Sequence, residues 1–129
     1  MIYVDTSALL KLLWVEQGSA EMADFVADRT DLTSSSLVVV EMRRGTARAD
    51  SSALPRADVL LTRVALVAVS DAVLESASRL PDPRLRSLDA IHLATALMLV
   101  EELEVLLSYD DRLLDAAAAH DLPVAAPGR

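Results

Sequence analysis

The chain has 129 residues, 53 % of them hydrophobic and 25 % charged, with no cysteine and a net charge of −8. This composition describes one globular domain, 1–129, and excludes a disordered chain, a disulfide scaffold and a thiolate zinc site. The acidic balance argues against a protein that coats nucleic acid by charge alone. Aromatics make up only 3 % of the residues, so the core is expected to be aliphatic. No apolar stretch reaches membrane length, and the opening "MIYVDTSALL" has an Asp and no basic residue, unlike a signal peptide. The expectation is a cytoplasmic protein that does not engage a membrane.

In chain order, "MIYV" reads as a buried strand and "TSALLKLLW" as a helix with Leu9, Leu10, Leu13 and Trp14 on one face. A turn at Gly18 leads to a second amphipathic helix, "SAEMADFVADR", and a short strand is expected around "DLTS". "SLVVVEMRRGTARAD" reads as a helix despite its valines, and Pro55 suits the first turn of the next, "PRADVLLTR". "VALVAV" is predicted to be a buried strand, followed by the helix "DAVLESASRL" and a loop at "PDPRLR". The strongest helical pattern is "SLDAIHLATALMLVEEL", with Ile91, Leu93, Ala94, Leu97 and Met98 turned inward. "EVLLS" reads as a strand, "DDRLLDAAAAHD" as a helix and "LPVAA" as a last short strand. Continuous apolar strands alternating with helices predict an α/β fold. This is a three-layer α/β/α sandwich around a parallel sheet of about four to five strands.

Two of these strands run straight into a carboxylate, Asp5 after "MIYV" and Asp110 after "EVLLSY". In an open parallel sheet, functional groups collect beyond the carboxyl ends of the strands. Two further acids, Glu41 after "LVVV" and Asp89 in "SLDAIHL", sit beside otherwise apolar helix faces. Each has a structural explanation of its own. Asp5, Thr6, Ser7, Asp110 and Asp111 are good helix caps, Asp89 suits a first turn, and Glu41 is spaced to pair with Arg44. Four acids gathered at one edge would repel one another, however, and hard divalent cations would relieve that repulsion. Mg²⁺ or Mn²⁺ fits such oxygen donors, and zinc fits poorly with two histidines and no cysteine.

The stretches "YVDTSALL", "VVVEMRRG", "LRSLDAIHLATAL" and "LLSYDDRLLDAA" resemble, in order, the four acidic motifs of PIN-domain ribonucleases, particularly the VapC-type toxins of bacterial toxin–antitoxin pairs. The resemblance runs from Ile2 to about Val124. It implies a PIN-like fold in which Asp5, Glu41, Asp89 and Asp110 bind one or two Mg²⁺ or Mn²⁺ ions and support RNA hydrolysis. It further implies that Thr6 or Ser7 orders the site, that Ser108 stands where the family usually has Thr, and that Asp111 is placed to share the metal role. The partners it implies are an RNA substrate, a small antitoxin protein covering the active-site groove, and a second copy in a homodimer. Arg43, Arg44, Arg84, Arg86 and Arg112 flank three of the four motifs and suit a phosphate-binding rim, or serve only to keep helices soluble. Leu10, Leu13, Trp14, Met22 and Phe25 are candidates for dimer or antitoxin contacts, His92 for a packed neighbour of the site, and His120 for the surface.

A receiver domain would need an acidic pair after the first strand and a late lysine, but Thr6 follows Asp5 and Lys11 is the sole lysine. A haloacid-dehalogenase-type phosphatase would need an Asp where Ser7 stands. Two readings stay open beside the toxin: an RNA-processing PIN nuclease that is not a toxin, and a non-catalytic metal-binding interaction module.

Overall fold

The computed structural model describes all residues, Met1–Arg129. Five parallel strands form its centre: β1 (Ile2–Val4), β2 (Leu32–Ser35), β3 (Val64–Val67), β4 (Val105–Leu107) and β5 (Val124–Ala125), in the order β3-β2-β1-β4-β5. The first strand is therefore central, with Ile2 beside Leu32 on one side and Val105 on the other. The helices are α1 (Thr6–Leu13), α2 (Ser19–Val26), α3 (Leu37–Asp50), α4 (Leu54–Leu61), α5 (Asp71–Ser78), α6 (Ser87–Met98) and α7 (Asp111–Ala119). A single 3-10 turn, Ser51–Ala53, joins α3 to α4.

Side chains alternate along a strand, so each buried strand feeds two cores. Ile2, Val4, Leu32, Val105 and Leu107 face one way and pack with Leu9, Met22, Val38, Met42 and Leu60 from α1 to α4. Tyr3 and Leu106 face the other way and pack with Leu93, Ala96, Leu113 and Ala117 from α6 and α7. This is the expected three-layer α/β/α sandwich, and the cores are almost wholly aliphatic.

Three expectations about packing are corrected. β3 is an edge strand, and Ala65 and Leu66 on it are exposed rather than buried. Helix α6 ends at Met98, whose side chain is exposed, and Val100–Glu102 form turns instead of another helical turn. Of the early apolar residues set aside for partners, Leu13 and Met22 belong to the core. Leu10 and Trp14 are half-buried, and Phe25 is exposed.

Gly18 enters α2 with φ +88°, a left-handed conformation that a side chain would strain, and a Cβ there would meet Tyr109 and the Pro127 carbonyl at 3.3 Å. That close approach lets Tyr109, which immediately precedes Asp110, hydrogen-bond the Pro127 carbonyl at 2.8 Å.

Candidate active site

Asp5 follows the last residue of β1 and caps α1, its Oδ1 accepting the Ala8 N–H at 2.9 Å. Helix capping and burial at the sheet edge are thus two roles of one side chain. Oδ1 also accepts the Ser7 hydroxyl at 2.7 Å, and Oδ2 accepts the Ser108 hydroxyl at 2.7 Å. Ser108 sits just beyond β4, the strand paired with β1, so strand pairing sets this contact between residues 103 apart. Burial raises the Asp5 pKa, opposed by the Ser108, Ser7 and Ala8 donors.

Ser7 and Ser108 then organise the start of α7. The Tyr109 N–H donates to Ser7 Oγ at 2.8 Å and the Asp110 N–H donates to Ser108 Oγ at 3.0 Å. Asp110 caps α7 by accepting the Arg112 N–H at 2.9 Å. Glu41 enters from α3. Its Oε1 accepts the Thr6 hydroxyl at 2.8 Å and lies 2.6 Å from His92 Nε2 on α6, so it pairs with these residues and not with Arg44. Burial works to raise the Glu41 pKa, but the hydrogen bonds to His92 and Thr6 outweigh it and leave it lowered. Asp89 lies in the first turn of α6. Its pKa is raised, first by burial and then by the negative charges of Asp110, Asp5 and Glu41, with His92 opposing.

Asp5, Thr6, Ser7, Leu10, Glu41, Asp89, His92 and Asp110 line one cavity of about 230 Å³ at the carboxyl edge of the sheet. No lysine or arginine enters that lining. A larger apolar groove of about 350 Å³ between α5 and α6 contains none of the four acids. The donors offered are carboxylate and hydroxyl oxygens, yet no three acidic or histidine side chains form a preformed metal cage.

The chain belongs to the PIN-domain family. The family's sequence profile matches residues 2–119. The PIN domain is 42 % identical to ribonuclease VapC35 of Mycobacterium tuberculosis over 133 aligned positions, covering 100 % of this chain and 98 % of that protein. Ribonuclease VapC47 of the same organism is 36 % identical, covering 99 % and 98 %. Among solved structures, M. tuberculosis VapC20, a Sarcin-Ricin loop cleaving toxin, superposes with a TM-score of 0.76 at 19 % identity, covering 98 % of this chain and 100 % of that one. At that identity the likeness shows the fold.

The remaining anticipated site residues are dispersed. Asp111 lies outside the cavity lining, exposed and ion-paired with Arg129. Arg43 is held by Asp58 at 2.9 Å, and Arg44 lines a shallow depression on α3 with Ala47 and Arg48. Arg86 is exposed at the start of α6. Arg84 and Arg112 converge on a separate cavity of about 160 Å³ that Asp82 and Asp115 also line. The sequence reading passed over Tyr3, whose hydroxyl lies 2.7 Å from His92 Nδ1 and accepts the Ser35 N–H at 3.1 Å. One signal for it was present: a tyrosine inside a fully buried strand needs a partner for its hydroxyl.

Proposed function

We propose that this PIN domain is a Mg²⁺- or Mn²⁺-dependent endoribonuclease that acts as the toxin of a toxin–antitoxin pair. The observation that carries this reading is the convergence of Asp5, Glu41, Asp89 and Asp110, from four distant segments, on one cavity whose lining has no basic side chain. The ribonuclease names of its full-length relatives support it. So does its structural likeness to a toxin–antitoxin complex from Klebsiella pneumoniae, with a TM-score of 0.68 at 22 % identity over 85 % of this chain and 87 % of that one.

The donor set fits a hard divalent ion. Asp5, Asp89 and Asp110 would have to draw together to hold it, with Glu41 bound directly or through water. When bound, the ion would lower the pKa of a coordinated water and stabilise the departing oxygen of a phosphodiester. The chain's own residues prepare for this. Ser7, Ser108 and the Ala8 N–H fix the Asp5 carboxylate against rotation, and Thr6 with His92 fixes Glu41 where it can orient an attacking water. Arg84 and Arg112, facing one cavity with neither in an ion pair of the Arg43–Asp58 kind, are the best placed of the arginines to take RNA phosphates. An acidic protein of this kind suits a locally basic antitoxin segment. Phe25, Trp14 and Leu10 remain as contact residues for that partner or for a homodimer.

Thermal unfolding with EDTA and with Mn²⁺ tests the site before any substrate is known. Mn²⁺ at a hundredfold over its Kd should stabilise the wild type by about 2.7 kcal/mol, and Asp5→Asn should lose most of that response. Cleavage of RNA by the Mn²⁺-loaded wild type, abolished in Asp5→Asn, then tests the activity. A metal response without cleavage would favour the non-catalytic binding module. The absence of both would remove the nuclease reading.

A further inference from the structure

The two hydrogen bonds that Glu41 accepts in the chain both fall on Oε1. Oε2 is left without a partner, on a side chain that lines the acidic cavity. Behind Oε1 stands a buried series of donors. The Ser35 N–H, at the end of β2, donates to the Tyr3 hydroxyl oxygen. Tyr3 is completely buried, and burial holds its phenol in the protonated form, so its one proton must go to an acceptor. His92 Nδ1 lies 2.7 Å away, with the imidazole edge-on to the tyrosine ring at a centroid distance of 5.9 Å. A neutral imidazole that accepts at Nδ1 carries its proton on Nε2. That N–H points at Glu41 Oε1, 2.6 Å distant.

We infer that Tyr3 and His92 are positioning residues, forming a relay from the Ser35 N–H to Glu41 that selects the Nε2–H tautomer and leaves Oε2 alone to meet a metal or its water. This rests on the function proposed above for Glu41. The relay also crosses the fold. Tyr3 belongs to the core on the α6 and α7 side and His92 is a buried residue of α6, whereas the neighbours of Glu41 on α3, Val38 and Met42, belong to the opposite core. Neither helical layer alone therefore sets the orientation of Glu41.

The tautomer is read first, from the ¹⁵N shifts of the His92 ring in the metal-free protein, and this readout depends on neither metal nor RNA. Protonation at Nε2 in the wild type is expected, and protonation at Nδ1 overturns the relay. Tyr3→Phe keeps the ring and removes the donor. It should weaken Mn²⁺ binding and lower kcat by about tenfold, the usual cost of losing an outer partner of a metal ligand, while KM for RNA holds. His92→Gln keeps an N–H directed at Glu41 and should retain most of the Mn²⁺ affinity that His92→Leu loses. A Tyr3→Phe protein that is folded, with Mn²⁺ affinity within twofold of wild type, would refute the inference, as would equal losses in the Gln and Leu variants. If the wild type binds Mn²⁺ but cuts no RNA, the nuclease reading fails while the tautomer and Mn²⁺ measurements still decide the relay.

Discussion

Replacing Asp5 separates its structural work from its charge. In Asp5→Ala, α1 loses its cap, worth about 1 kcal/mol. The Ser7 and Ser108 hydroxyls lose their acceptor as well, at roughly 1 kcal/mol or more each where they stay dry. Against this, the substitution removes a buried carboxylate whose raised pKa means that its ionisation already counts against folding. The net expectation is a loss of about 2 kcal/mol, or about 8 °C in Tm for a domain of this size. Asp5→Asn behaves differently. Its amide oxygen keeps the Ser7 and Ala8 donors, and its NH₂ faces Ser108, which turns to accept. One hydrogen bond is rearranged and the buried charge is gone, so Asn should lie within about 1 kcal/mol of wild type. Urea unfolding in EDTA at neutral pH measures both. An Ala midpoint equal to that of the wild type would mean that the hydrogen bonds at Asp5 carry no stability. A loss in Asn as large as that in Ala would mean that the charge itself stabilises the fold, contrary to the direction of its pKa.

Three further outcomes are expected. Asp89 has a folded pKa above its ordinary value, so its ionisation opposes folding increasingly as pH rises through that interval. Metal-free Asp89→Asn should accordingly gain stability over wild type between acidic and neutral pH, and a difference independent of pH would contradict this. Arg29 hydrogen-bonds both Asp31 and Glu104 and holds both carboxyl groups below their ordinary range. The stability this supplies is complete above that range and fades as pH falls through it, so Arg29→Gln should show a shallower acid decline in urea midpoint. Arg84→Gln and Arg112→Gln should each weaken RNA binding in EDTA and reduce its salt slope by about one, whereas Arg43→Gln, already paired with Asp58, should leave both unchanged.

The order of elements was legible because strand-length apolar runs and helical periodicity alternate without interruption. The edge position of β3 was not, since "VALVAV" reads the same beside one neighbour as between two, and only the strand order exposes Ala65 and Leu66. The convergence of the acids could be anticipated from two strands ending in Asp, because parallel strands bring their carboxyl ends to one edge. Which hydroxyl serves which acid could not. Thr6 and Ser7 are adjacent in sequence, yet one donates to Glu41 and the other to Asp5, as the turn into α1 dictates. The choice among the arginines was hidden for a similar reason: an exposed Arg looks alike in sequence whether or not a partner such as Asp58 is waiting on the next helix.

The central place of β1 has a consequence for the protein's synthesis. Strand β1 cannot acquire its second neighbour until Val105–Leu107 have been added, and Asp5 waits as long for the hydroxyl of Ser108. Contacts this distant in sequence close late and slowly. A nascent chain bearing Asp5, Glu41 and Asp89 still lacks Asp110 and the strand that seats it. The cavity is therefore incomplete in the growing polypeptide until Asp110 has been added.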